Sequence, residues 1–164
     1  MQRKLEEETF ESREIFSKAE MFIKKGDYAK ATILLNEALK ISPTNSLYIS
    51  HLGLCIGMQG NMIAGEHMCR KAISLSPFVP IHFVNLGRVL LKENRRQEAR
   101  EAFVRAYELD NTNAPAALEL SRMGIRKRPV LPFLSRNHPL NVFLGKVRHN
   151  VTRVLSERRV KTVQ

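Results

Sequence analysis

Apolar residues recur along the chain at steps of three and four, which is the period of helices with one buried face. Superimposed on this pattern is a longer one with a spacing of 34 residues. Small residues keep that spacing in three series: Ala19, Gly53, Gly87; Ala31, Gly65, Ala99; and Ala38, Ala72, Ala106. Bulky residues keep the same register, in Ile15, Ile49, Phe83, in Phe22, Ile56, Leu90, and in Leu35, Cys69, Phe103. The pattern predicts helices at about 12–25, 28–41, 46–59, 62–75, 80–93 and 96–109, arranged as units 12–45, 46–79 and 80–113. Each unit is two antiparallel helices, which cross where Ala or Gly lets the backbones approach.

The punctuation follows the same register. Gly26, Gly60 and Asn94 occupy the turn slot, with Asp27 and Asn61 following as helix caps. Pro43, Pro77 and Asn111 occupy the slot that ends the second helix. Residues 1–11 read as an N-terminal helical extension, since Glu6 to Glu14 is helix-compatible and anionic at the helix start. Residues 114–126 read as a capping helix with Pro115 in its first turn, covering the last unit as a solenoid requires. Residues 127–139 carry three prolines and read as an extended basic linker.

On the small-residue pattern and period, the sequence resembles the tetratricopeptide repeat family across about two thirds of its length. Ile15, Ile49 and Phe83 stand where the family favours Trp, and Asn111 where it favours Pro; all remain apolar or helix-ending. The resemblance implies an all-α, right-handed α-solenoid of three helix-turn-helix repeats plus a capping helix. It also implies a curved surface whose inner face is lined by the first helix of each unit. The candidate partner-binding groove is then Arg13, Phe16, Glu20, Ile23 and Lys24; Leu47, Ser50, Leu54, Gly57 and Met58; and Ile81, Val84, Arg88, Leu91 and Lys92. Its middle is apolar and its rim charged, which suits an extended peptide or an amphipathic helix, or else the chain's own N-terminal or C-terminal segment. Family members that grip the C-terminal carboxylate of chaperones use Lys, Arg and Asn at slots occupied here by Phe16, Glu20, His51, Ile81 and Asn85. None of these is cationic, so no carboxylate-clamp type of chaperone-tail binding is expected.

Charge divides the chain. Residues 1–121 hold 16 Lys and Arg against 15 Asp and Glu, whereas residues 122–164 hold 11 against the single Glu157. After Pro139, Leu140, Phe143, Leu144, Val147, Val151, Val154 and Leu155 fall at helical steps, so residues 140–164 read as a basic amphipathic tail. Arg126, Lys127, Arg128, Lys146, Arg148, Arg153, Arg158 and Arg159 are its candidate contacts with an anionic partner. Such a helix suits an anionic membrane surface, nucleic-acid phosphates, or docking on the repeats or a partner protein.

Chemistry is scarce. The chain has no glycine-rich phosphate loop, no H-E-x-x-H and no C-x-x-C, so neither an enzyme nor a cofactor is expected. His51 and Cys55 share a helical face, but His67 and Cys69 lie two residues apart and diverge, so packing is preferred to a metal site. Two cysteines fit no disulfide framework, no secretory signal opens the chain, and no apolar run is long enough to span a membrane. A cytoplasmic, or membrane-peripheral, adaptor is the expectation. The alternatives are a chaperone-like holder of an apolar secretion or assembly substrate, and a peripheral membrane or nucleic-acid binder acting through the tail.

Overall fold

The computed structural model describes residues 2–123 and Leu140, with side chains described from Phe10 onward. The chain divides into two compact units, Met1–Gly124 and Ile125–Gln164, and the elements below belong to the first. The linker 127–139 and the rest of the basic tail lie outside the described residues.

Among the described residues seven helices follow one another: α1 (Gln2–Lys25), α2 (Tyr28–Ile41), α3 (Ser46–Met58), α4 (Met62–Leu75), α5 (Pro80–Lys92), α6 (Arg96–Leu109) and α7 (Ala114–Met123). Consecutive helices pack as hairpins, α1 on α2, α3 on α4 and α5 on α6, and each hairpin packs on the next through α2–α3 and α4–α5. The result is an all-α, multi-helix solenoid. α1 begins well before the first repeat unit, and α7 packs on α6.

Local chemistry sets the helix ends. Gly26, Gly60 and Asn94 have φ of 79°, 109° and 67°, the left-handed geometry that reverses the chain between the helices of a hairpin. Asp27 Oδ1 accepts from Lys30 N–H at 3.1 Å, and Asn61 Oδ1 from Ala64 N–H at 3.2 Å, starting α2 and α4. The third hairpin lacks such a cap. Arg95 stands in that position, and its guanidinium instead donates to Glu66, Glu93 and Glu98.

The small-residue series marks the crossings. A Cβ on Gly87 would lie 2.5 Å from the Phe103 ring, and one on Gly53 would lie 2.8 Å from Cys69 Sγ and from the Gly65 carbonyl oxygen. Ala19, Ala31, Ala38, Ala72, Ala99 and Ala106 are all sealed. Around them lie two apolar clusters, one centred on Leu35, Tyr48, Leu52 and Cys55, the other on Val84, Val89, Leu90 and Phe103. At about 25 cal/mol per Å2 of apolar surface, such side chains are the main source of stability.

Candidate functional site: the face of the first helices

The first helices of the hairpins, α1, α3 and α5, touch one another in sequence, and α7 continues the row. Phe16 of α1 stacks on Tyr48 of α3 with ring centroids 4.8 Å apart and meets the edge of His51 at 5.0 Å. Asn85 Nδ2 of α5 donates to Ser50 Oγ of α3 at 3.0 Å, and the Ser46 hydroxyl lies 3.1 Å from His82 Nε2. Arg88 Nε of α5 donates to Glu119 Oε1 of α7 at 2.9 Å. One face of the Met1–Gly124 unit is thus built from the four helices α1, α3, α5 and α7.

The residues expected to line a groove divide into two layers. Phe16, Ser50, Leu54, Gly57 and Val84 are buried between neighbouring helices and form the floor. Glu20, Ile23, Leu47, Met58, Ile81, Arg88 and Leu91 are half-buried, while Arg13, Lys24 and Lys92 are exposed. The accessible part therefore holds apolar side chains alongside more cations than acids. The expected tail contacts Arg126, Lys127, Arg128, Lys146, Arg148, Arg153, Arg158 and Arg159 lie outside the described residues.

Buried polar groups knit the floor. His51 Nδ1–H donates to the Leu47 carbonyl at 2.8 Å, which fixes its neutral tautomer. Burial holds His51 below its ordinary value; the Leu47 carbonyl and Glu20 oppose the shift, and Arg88 adds to it. Burial pushes His82 down to about 4, and His51 adds to the shift. His82 Nδ1 and Asn85 Oδ1 are buried without a hydrogen-bond partner. Ser46 Oγ–H donates to Ser76 Oγ at 2.9 Å, repeating one unit on the Ser42-to-Ser12 bond of 3.3 Å. Cys55 and Cys69 are buried, and desolvation raises both thiols to about 12, away from the range of a nucleophile. His67 is exposed while Cys69 is sealed, and among the described residues no three His, Cys, Asp or Glu side chains gather into a metal-ligating group.

Glu119 has no counterpart in the sequence reading. Its only trace there is an acid on a helix whose other inward residues, Ala116, Leu120 and Met123, are apolar or small. Its partner Arg88 sits 31 residues away, beyond the reach of helix-face spacing.

The fold and this row of helices define a repeat scaffold. A family model for the tetratricopeptide repeat matches residues 15–45 and 83–113. The chain carries the tetratricopeptide-repeat fold, with multiple tandem helix-turn-helix units. It is similar to human protein O-mannosyl-transferase TMTC3, with 29% identity over 101 residues, 61% of this chain and 11% of that protein. The chain thus spans about a tenth of that relative's length. Among solved structures, it resembles the first TPR of Spaghetti (RPAP3) bound to the HSP90 peptide SRMEEVD, at 19% identity and a TM-score of 0.58, covering 68% of this chain and 91% of that one. It also resembles the second TPR domain of human RPAP3 in complex with the HSP70 peptide SGPTIEEVD, at 19% identity and a TM-score of 0.56, covering 74% and 99%.

These two complexes, in which domains of the same fold hold HSP90 and HSP70 peptides, overturn the expectation that no carboxylate-clamp type of chaperone-tail binding occurs. The physical reason lies in the positions used to judge charge. Of Phe16, Glu20, His51, Ile81 and Asn85, three are buried: Phe16, His51 and Asn85. They do not set the charge of the open face. Arg13, Lys24 and Lys92, exposed on the same helices, do, whereas Arg88 is paired with Glu119.

Proposed function

We propose that this chain is a non-enzymatic protein-interaction scaffold that takes an extended peptide or helix along the face of α1, α3 and α5. The observation that carries the reading is the continuous row of contacts from Phe16 through His51, Ser50 and Asn85 to Arg88 and Glu119. It makes one preorganised surface from helices far apart in sequence, which lowers the ordering cost of binding. We read the architecture as three repeats, 12–45, 46–79 and 80–113, in a right-handed solenoid closed by α7. The 34-residue register supports that reading. Two free, buried cysteines favour a cytoplasmic setting.

The ligand class follows from the open residues. Leu47, Met58, Ile81 and Leu91 offer half-buried apolar surface, and Arg13, Lys24 and Lys92 offer exposed positive charge. A peptide with two or three apolar anchors and acidic neighbours satisfies both. Panning a random peptide library against the full chain tests this, with SRMEEVD and SGPTIEEVD as added probes. Selected peptides should be acidic and apolar, and a Lys24→Glu/Lys92→Glu variant should bind them at least about tenfold more weakly. Failure to select any peptide, or binding indifferent to the double variant, would contradict the proposal.

A further inference from the structure

The second hairpin joins the first, and the third joins the second, by different chemistry at the same slot of the repeat. Gln59, which follows α3, donates from Nε2 to Thr32 Oγ1 at 2.7 Å and to the Tyr28 carbonyl at 3.2 Å, tying its hairpin to α2. One unit of 34 residues later, Gln59 and Thr32 become Glu93 and Glu66, two carboxylates where a donor and an acceptor stood. Arg95 resolves the conflict. Its Nη1 donates to Glu93 Oε2 at 2.8 Å and to Glu66 Oε2, and its Nη2 reaches Glu66 Oε1 at 3.4 Å. Nε and Nη2 hold Glu98 at 2.8 and 2.6 Å, so every N–H of the guanidinium meets a carboxylate.

Arg95 gives up a local task to do this. Asp27 and Asn61, in the same slot, cap their helices through Lys30 and Ala64 N–H, whereas the start of α6 has no side-chain cap. The cap is exchanged for a link between hairpins: Glu66 belongs to α4, Glu98 to α6, and Glu93 follows α5. The Glu66 side chain is 16% exposed and that of Glu93 27%, so water screens their mutual repulsion only in part. Arg70 also pairs with Glu66, at 2.7 Å, but it comes from α4 itself and joins nothing to the third hairpin.

We infer that Arg95 is an electrostatic clasp between the second and third hairpins, making the attachment of α5 and α6 to α4 responsive to ionic strength while the first junction is not. Repeat arrays open hairpin by hairpin, because each unit touches only its neighbours. α5 carries Ile81, Leu91 and Lys92, so the clasp governs whether they stay aligned with Leu47 and Met58 of α3. That alignment is a property of the fold, whatever the face binds.

Hydrogen exchange of the full chain, followed by mass spectrometry across a series of NaCl concentrations, tests the clasp. In the parent chain, salt should speed exchange in α5 and α6 relative to α1 and α2, because it screens the attraction. Arg95→Asn supplies the kind of cap that Asn61 gives α4, but it removes the clasp and leaves three carboxylates with Arg70 alone. Exchange in α5 and α6 should then rise about tenfold or more at low salt, and added salt should slow it by screening repulsion. Arg95→Lys, a point charge in place of a planar fork, should fall between the two. Adding Glu66→Thr and Glu93→Gln to Arg95→Asn transplants the first junction, and the salt response should vanish. Equal exchange in the parent and Arg95→Asn, or a salt response of the same sign in both, overturns the inference. So does loss of protection spread evenly from α1 to α6, since the hairpins then open as one. A triple variant that responds to salt as Arg95→Asn does overturns it as well.

Discussion

Arg88 Nε donates to Glu119 Oε1 at 2.9 Å, joining α5 to α7 across 31 residues of sequence. The Glu119 side chain is 10% exposed and the Arg88 side chain 33%, so the pair is screened less than a surface ion pair. It holds a cation in place on the face of the first helices. It also ties the last helix to the row through more than apolar contact.

Replacing Glu119 with Ala leaves Arg88 half-buried beside an unfilled site. The loss should be about 1–2 kcal/mol, lowered from the buried-pair range because Arg88 is a third exposed. A thermal melt should shift down by a few degrees, and Glu119→Gln, which still accepts a hydrogen bond, should shift less.

Gly87→Ala sets two effects against each other. Helix propensity favours Ala by about 1 kcal/mol. The new Cβ, however, meets the Phe103 ring at 2.5 Å in a sealed crossing, and overpacking of that kind costs about 1–3 kcal/mol. The clash should win, giving net destabilisation in urea unfolding. Phe103→Ala should cost more, about 3–5 kcal/mol, since Phe103 is fully buried.

Stability should fall as the solution is acidified. His82 titrates near 4 in the folded chain, below the ordinary value of about 6.5, because burial penalises its charged form. The unfolded chain therefore binds the proton first. The stabilisation is fully present above about pH 6.5 and is lost progressively as the pH falls toward 4. His51, lowered by burial as well, acts in the same direction. Urea midpoints measured from pH 7.5 to 4.5 should decline, and a His82→Asn variant should show a shallower decline.

Cys55 and Cys69 are sealed, with thiols raised to about 12. Neither should react with Ellman's reagent at pH 7.5 in the folded chain, and both should react promptly in denaturant.

Much of this was legible in the sequence because it is local or periodic. Gly26-Asp27 and Gly60-Asn61 specify their turns and caps within two residues, and α2, α4 and α6 begin and end where the pattern places them. Ala and Gly at a spacing of 34 identify the crossings, since a Cβ at Gly53 or Gly87 has nowhere to go. The open face was harder to read. A helical stripe lists Phe16, Leu54 and Val84 beside Lys24 and Lys92, but periodicity does not say which are shared with the next helix. Packing decides that, and it turns the bulky ones into floor. Pairs such as Arg88 with Glu119, Asn85 with Ser50 and Arg95 with Glu66 span about thirty residues, and no spacing rule announces them. The carboxylate-clamp expectation fails for the same reason: of the five slots it rests on, three are buried, and residue type alone does not show that.

The most direct test is an NMR map of the full chain bound to a peptide selected from the library. Amide and methyl shifts should concentrate on the open residues of α1, α3 and α5, including Arg13, Lys24, Leu47, Ile81, Arg88 and Lys92, and should disappear with Lys24→Glu/Lys92→Glu. Shifts confined instead to exposed residues of the second helices, such as Ile33 of α2 and Ile63 of α4, would contradict a scaffold that binds through its first helices.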